Sequence, residues 1–378
     1  MLGPTSSVTD LLRTRFLTRF LGLSISIFLF AVVFWLYNVS LHPKTHNASS
    51  DYPIVIQRTR DMFSNETRDI GILTIVDETA NLDDYHFALD SMGCYAALQN
   101  YSFRIERVSQ KWSALCNQTD IMMKRHCMVA HLLDDHEYSL VIDADIGVIN
   151  PEKLIEDYID ERFDIIMYER FFNWEIAMGS FLIKRSNFSK EFFLNFANYE
   201  LPNSKNGRDN GAVHIYLAEL LVPLAKTEIQ DCRSIWASAT SYSDVFLFEA
   251  CIKLILGSIR EFPTKIKIHE KGTAWVRDGW ITDSRWNPEV DFMIHGWQLR
   301  SLKSKKSFFF SGCGFACWRN PFFRPINQSE CATGTTMWHY NADLLATKDE
   351  IRTELETLKI KVKRDFWTSA GKLAKYFR

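Results

Sequence analysis

Tyr138-Ser139-Leu140-Val141-Ile142-Asp143-Ala144-Asp145-Ile146-Gly147-Val148-Ile149-Asn150-Pro151 is an apolar run that breaks into two carboxylates one residue apart and then turns. Four or five apolar residues bounded by polar ones predict a strand buried on both faces, the kind found in a parallel sheet. Asp143 and Asp145 then fall at its carboxyl end, where ligands bind in open α/β sheets. Two carboxylates there suit a hard divalent cation such as Mn²⁺ or Mg²⁺, usually shared with substrate phosphates. With 46 acidic residues in 378, about one Asp-x-Asp arises by chance, so the triplet alone is a weak sign. Its position adds weight, because two charges directly after Leu140-Val141-Ile142 cannot both be buried unpaired. The plain alternative is a solvated turn or a helix cap.

The same alternation of apolar runs and amphipathic stretches continues on both sides. Ile70 to Val76 reads as a first buried strand, and Tyr85, Leu89, Met92 and Ala96 mark a helix after it. Tyr101 to Val108 alternates like a strand, and Ile121 to Leu133 reads as a helix. Beyond Pro151 the pattern predicts a helix near Glu152 to Ile159, a strand from Asp164 to Tyr168 and another entered at Met178-Gly179-Ser180. Ser189 is the expected N-cap of a helix through Phe192, Phe193 and Phe196. This order predicts an α/β fold with a mixed, mostly parallel sheet, right-handed crossovers and flanking helices.

Several other residues carry chemistry. Gly179 lacks a Cβ, so a ligand or metal could approach the backbone there, although a bulge or tight turn needs the same freedom. The polar loop from Leu201 to Gly211 opens a helix over Ala212 to Leu221; Asp209 either caps that helix or faces an acceptor hydroxyl. Asp291-Phe292-Met293-Ile294-His295-Gly296-Trp297 repeats the logic of Asp143, with a ligand-type side chain at a strand end beside a glycine. A lone histidine is more often structural, so His295 is a candidate metal ligand only in that context. The tail from Ala342 to Arg378 places acids early and bases late, as a helix macrodipole favours.

Composition bounds the setting. A 47% apolar content supports a sizeable core, and a formal charge of -2 gives no hint of a nucleic-acid partner. Phe20 to Tyr37 runs eighteen residues without a charge, long enough to cross a bilayer. Arg13, Arg15 and Arg19 precede it, which predicts a cytoplasmic amino terminus and a single-pass type II anchor rather than a cleaved signal peptide. Seven Asn-x-Ser/Thr sequons, at Asn38, Asn47, Asn65, Asn100, Asn117, Asn187 and Asn327, and all eight cysteines follow that segment. Both predict a lumenal body with disulfides. The expected layout is a tail over 1–19, an anchor over 20–37, a stem over 38–68, a catalytic body over 69–340 and a helical tail over 341–378.

Ile142-Asp143-Ala144-Asp145-Ile146-Gly147-Val148 with Asn150-Pro151, Asn173-Trp174-Glu175 with Gly179-Ser180, Asp209-Asn210-Gly211-Ala212 followed by His214, and His295-Gly296-Trp297 together resemble a nematode family of type II membrane proteins classed with the nucleotide-diphospho-sugar transferases. The resemblance spans roughly residues 69–340. More distantly the chain is similar to fungal Golgi galactosyl- and mannosyltransferases, plant xylosyltransferases and glycogenin-like enzymes. The resemblance implies the GT-A fold and a metal-dependent glycosyltransferase of the Golgi or endoplasmic reticulum. It implies Asp143, Asp145 and His295 as ligands of Mn²⁺ or Mg²⁺, and Lys124, Asp143, Asp145, Gly179 and Ser180 at the nucleotide-sugar donor. Lys124-Arg125-His126-Cys127 looks like the Lys-x-His-Cys segment of glycogenin-like enzymes, but it lies further from Asp143 than in that family. Arg300 stands where that family has a phosphate-binding Lys. Asp209 and Glu175 are the expected catalytic residues, positioning or deprotonating a lumenal glycan or glycoprotein acceptor, with retention of configuration. A membrane-anchored glycoside hydrolase, or a non-catalytic glycan-binding protein on the same fold, are the competing expectations.

Overall fold

Short apolar runs, too short for helices, build a central sheet. The computed structural model of the chain describes residues 51–55, 68–200, 207–263, 265–303, 317–331 and 337–376. The tail, the apolar segment 20–37 and most of the stem therefore lie outside the described residues. Among the described residues no helix is long and apolar enough to cross a membrane.

β1 (Asp51–Val55) pairs antiparallel with the late strand β12 (Met337–Asn341). β2 (Ile70–Val76) has six of its seven residues buried and lies parallel to β3 (Ser102–Arg107) and to β4 (Tyr138–Ile142). All five residues of β4 are buried, as its unbroken apolar run predicts. After β5 (Ile146–Val148) the chain makes β6 (Ile165–Tyr168) and β7 (Ser180–Lys184), and β7 inserts antiparallel between β4 and β6. β8 (Glu261–Phe262) and β9 (Ile266–His269) complete a seven-stranded sheet of order β3-β2-β4-β7-β6-β9-β8. Side chains alternate across it: Val141, Phe181 and Ile183 join one core, Leu140, Ile142 and Leu182 the other.

The expectation of a mostly parallel sheet is corrected: three of its six pairings are antiparallel. No helix lies between β6 and β7. A parallel return would need a crossover, whereas an antiparallel neighbour needs only a loop. The helix expected over Glu152 to Ile159 is a single 3-10 turn, Ile155–Tyr158, flanked by extended Leu154 and Ile159.

Helices cover both faces. On one side lie α1 (His86–Gln99) and a smaller sheet of order β10 (Val276–Asp278), β11 (Met293–His295) and β5, packed with Trp275, Trp286, Trp297, Trp318 and Trp338. On the other lie α2 (Gln110–Leu115), α3 (Ile121–Leu132), α4 (Asn187–Phe196), α5 (Arg208–Leu221), α6 (Lys226–Ala237) and α7 (Tyr242–Leu256). The N-cap of α4 is Ser186, whose Oγ accepts from Ser189 N at 3.1 Å; the expected cap, Ser189, sits three residues inside and is buried. The short α8 (Gln328–Cys331) and the long α9 (Lys348–Lys372) finish the chain, and α9 buries Ile351, Leu355, Val362 and Phe366. Disulfides join Cys94 to Cys331, Cys116 to Cys127 and Cys232 to Cys251, so they tie α1 to α8, the end of α2 to α3, and α6 to α7. Cys317 is disulfide-bonded as well.

Gly147 shows how tightly the two sheets are joined. A Cβ there would lie 2.1 Å from Trp297 Cζ3, and Trp297 is itself stacked on Trp318 with ring centroids 5.7 Å apart. Gly147→Ala must push a buried, stacked indole aside, an overpacking cost of about 1–3 kcal/mol or more. Thermal unfolding of that variant is expected several degrees below the wild type.

Candidate active site

The site begins where β4 runs out of apolar residues. Asp143 N–H donates to Gly179 O at 2.7 Å, closing the β4–β7 ladder, and Ile146 N–H donates back to Asp143 O at 3.1 Å. The chain thus reverses within Asp143-Ala144-Asp145 and enters β5. β5 pairs antiparallel with β11 so that Ile146 faces His295. Asp145 O accepts from Gly296 N at 3.0 Å and Trp297 N at 2.9 Å. Gly296 has φ +107, and a Cβ there would sit 3.1 Å from Trp280. The sheet register, assisted by that glycine, brings the late histidine to the early carboxylates.

Asp143, Asp145 and His295 each offer one ligand atom, and these atoms lie within 4.8 Å of one another. His295 Nε2 is 3.4 Å from Asp145 Oδ1, while His295 Nδ1 is 2.7 Å from Asp278 Oδ1. An Nδ1–H donated to Asp278 leaves Nε2 to act as a ligand, the usual outer-shell arrangement of a metal-bound histidine. Asp278 is in turn bonded by Arg170 at 2.5 Å, and Arg170 also reaches Glu175 at 3.2 Å. Asp145 Oδ2 accepts from Gln298 Nε2 at 2.6 Å. Two carboxylates and an oriented imidazole fit a divalent ion such as Mn²⁺.

A second group faces Asp143 from α3. Arg125 donates to Asp143 Oδ1, to Asp209 Oδ2 at 2.5 Å and to Met178 O at 2.9 Å. His126 Nε2 lies 2.9 Å from the same Asp209 oxygen. Asp209, in the first turn of α5, is therefore not a helix cap: the N-cap is Gly207, at φ +76.

The electrostatics follow from this crowding. Burial opposes a charge on His295, but the Asp145 and Asp278 carboxylates push it up to about 10. Burial raises Asp143 to about 6 against the pull of Arg125. Burial also works against ionised Asp209 and Asp278, yet Arg125 with His126, and Arg170 with His295, hold each down to about 2. Both stay ionised at neutral pH.

Asp143, Met122 and Arg125 line two clefts at once. The smaller, about 370 Å³, opens over the ends of β2 and β4 and includes Asp77, Ala80, Tyr85, Asp145, His295 and Gln298. The larger, about 630 Å³, is bounded by Arg170, Glu175, Asp209 and Asn210 and by the rings of Phe172, Tyr242, Phe246 and Trp280. A reacting bond at Asp143 would have one partner in each.

The other expected residues fall as follows. Gly179 lies on the larger cleft, and a Cβ there would stand 2.7 Å from Asp143 Oδ2. Glu175 is buried on the same cleft. Ser180, expected at the donor, is fully buried and accepts from Trp275 Nε1 at 2.8 Å, so it does not face either cleft. Lys124 reaches Ser113 Oγ at 3.3 Å, and the neighbouring Arg125 takes the position beside Asp143. Arg300 is exposed in the 3-10 turn Leu299–Ser301, near Tyr85, whose hydroxyl pKa is pushed up by burial and by the Asp145 charge against the weaker pull of Arg300. Sequence reasoning missed Arg125, Arg170 and Asp278. Asp278 ends a short strand just as Asp143 does, and that parallel was the available signal.

The chain belongs to the family described as "Protein of unknown function, DUF273", which matches residues 92–309. No curated protein matches it. Among solved structures it is similar to a glycosyltransferase involved in the glycosylation of the major capsid of PBCV-1, at 12% identity and a TM-score of 0.34, covering 60% of this chain and 92% of that one. It is also similar to the glycosyltransferase GlyE of Streptococcus pneumoniae TIGR4, at 14% identity and a TM-score of 0.30, covering 40% and 44% of the two chains. A197 from STIV matches at 12% identity and a TM-score of 0.21, covering 36% and 70%. Likenesses this partial bear no functional weight.

An ion entering the Asp143, Asp145 and His295 group must displace the His295 proton at neutral pH, and below about pH 6 the Asp143 proton too. Protons therefore compete with the metal, and affinity rises with pH. Calorimetric titration with Mn²⁺ is expected to show about one proton released per ion and affinity rising about tenfold per pH unit between roughly pH 6 and 8.

Proposed function

We propose that this protein is a metal-dependent glycosyltransferase that moves a sugar from a nucleoside diphosphate donor to a glycan or glycoprotein acceptor. The observation that carries the reading is the Asp143, Asp145 and His295 group, with His295 oriented by Asp278, standing where two clefts meet. A divalent ion held there would offset charge on the departing diphosphate, as Lewis acid and template.

The rest of the work falls to side chains of this chain. The smaller cleft, over the strand ends, takes the nucleotide, as strand ends do in open α/β sheets. Asp278 and Arg170 hold His295 in place from behind. The larger cleft takes the acceptor, its aromatic wall suiting the apolar face of a sugar. Glu175, whose carboxylate accepts 3.2 Å bonds from Arg170 and Asn173, orients the acceptor hydroxyl. Asp209 is a poor base at about 2 and serves instead to position Arg125. Retention of configuration is the outcome that the family resemblance implies; the acceptor oxygen would then attack from the face the diphosphate leaves, forming the new glycosidic bond as the sugar–diphosphate bond breaks, and its proton would pass to the departing diphosphate oxygen.

A lumenal site of action, behind a type II anchor at 20–37, belongs to the same proposal. Its support is that Asn100, Asn117, Asn187 and Asn327 are all exposed, and that no described cysteine is free. Glycan chains and disulfides at these positions require the secretory pathway.

Two measurements test the reading. With a panel of nucleotide sugars and Mn²⁺, the full-length protein is expected to release nucleoside diphosphate, and Asp143→Asn with Asp145→Asn to reduce that release by at least about a thousandfold. Unchanged turnover in the double variant sinks the assignment. Peptide N-glycosidase treatment of protein made in a secretory host is expected to increase its gel mobility, and Asn→Gln at the four exposed sequons to remove most of that shift.

A further inference from the structure

We infer that Arg125 sets the metal affinity of the Asp143, Asp145 and His295 group: it is a fixed cation in contact with a ligand carboxylate, and it keeps the site's hold on a divalent ion loose and exchangeable. This inference rests on reading that group as a metal centre.

Arg125 is not free to leave when an ion arrives. Its side chain is 8% exposed and anchored on three sides, through Nε and Nη2 to Asp209 Oδ2 at 3.1 and 2.5 Å, through Nη2 to Met178 O at 2.9 Å, and through Nη1 to Asp143 Oδ1. Swinging away would strand Asp209, itself 3% exposed, beside a buried His126. Removing one partner of such a buried pair is strongly destabilising, so the guanidinium stays. Helix α3 is rooted just before it, where Asp120 Oδ1 accepts from Met122 N at 3.0 Å.

A cation held against Asp143 acts on the metal site in two ways. It occupies a carboxylate oxygen that would otherwise be available to the ion. It also repels the ion directly, across a gap where even strong screening leaves an effect of at least about tenfold on affinity. Arg170 does not play the same part, because it contacts Asp278 and Glu175 rather than a ligand. The arrangement suits an ion that must come and go with its anionic ligand rather than remain as a permanent structural part.

The test is titration of the full-length protein with Mn²⁺ alone, followed by the paramagnetic resonance signal of the free ion. Arg125→Lys keeps the charge and is expected to bind Mn²⁺ within about threefold of the wild type. Arg125→Gln removes it and is expected to bind at least about tenfold more tightly. Should the single variant fail to fold, Arg125→Gln with Asp209→Asn removes both buried charges. It is still expected to bind more tightly than the wild type, because the cation touches a ligand and Asp209 does not. Unchanged or weaker binding in the folded charge-free variants, with wild-type binding intact, overturns the inference while leaving the metal centre standing. No Mn²⁺ binding by wild type or any variant overturns the metal centre itself, and the inference with it.

Discussion

Four carboxylates, Asp143, Asp145, Asp209 and Asp278, converge at the ends of β4 and β10 and the start of α5, and the rest of the site is arranged around compensating them. Taking one ionised carboxylate out of water costs several kcal/mol, which a single domain's net stability cannot absorb four times over. The fold meets this demand with two guanidiniums, each spanning two acids: Arg125 joins Asp143 to Asp209, and Arg170 joins Asp278 to Glu175. Two imidazoles complete the scheme, His126 on Asp209 and His295 between Asp145 and Asp278. Leaving Asp143 and Asp145 partly uncompensated gives the group its fitness for a cation.

That charge arrangement depends on the junction between the large and small sheets. β4 passes straight into the turn at Asp143 and then into β5, which belongs to the small sheet with β10 and β11. The reversal needs a residue without a side chain at Gly147, because Trp297 packs into that space, and a positive φ at Gly296. His295 and Asp278 sit opposite each other in the parallel β10–β11 pairing, so the ligand and the acid that orients it come from neighbouring strands at the same rung. The tryptophans of this region mostly serve as packing beneath the junction; of Trp275, Trp280, Trp286 and Trp297, Trp280 is the one that lines either of the two clefts meeting at Asp143.

Much of this was legible in the residues. Apolar runs of five to seven marked β2 and β4 to within a residue, because only fully buried strands tolerate such runs. The strand-end position singled out Asp143, Asp145 and His295 before any pairing was known. What failed did so at the level of direction. Lys124 and Arg125 are adjacent in one helix and point about 100° apart; which base meets Asp143 depends on how α3 rotates against the sheet. Gly179 and Ser180 are adjacent in a strand and face opposite ways. The glycine lies on the cleft and the serine is buried against Trp275.

The sequence by itself determined the α/β class, the strands that carry the acidic residues, the aromatic core and the cysteines available for disulfides. These follow from local periodicity and from the cost of burying or exposing each residue type. Only the tertiary structure decided that half of the large sheet's pairings run antiparallel, that His295 lies beside Asp145 some 150 residues earlier, and that Arg125 stands guard over Asp143. Those outcomes are set by strand register and helix rotation, which arise from packing between distant segments and leave no periodic signal in either one.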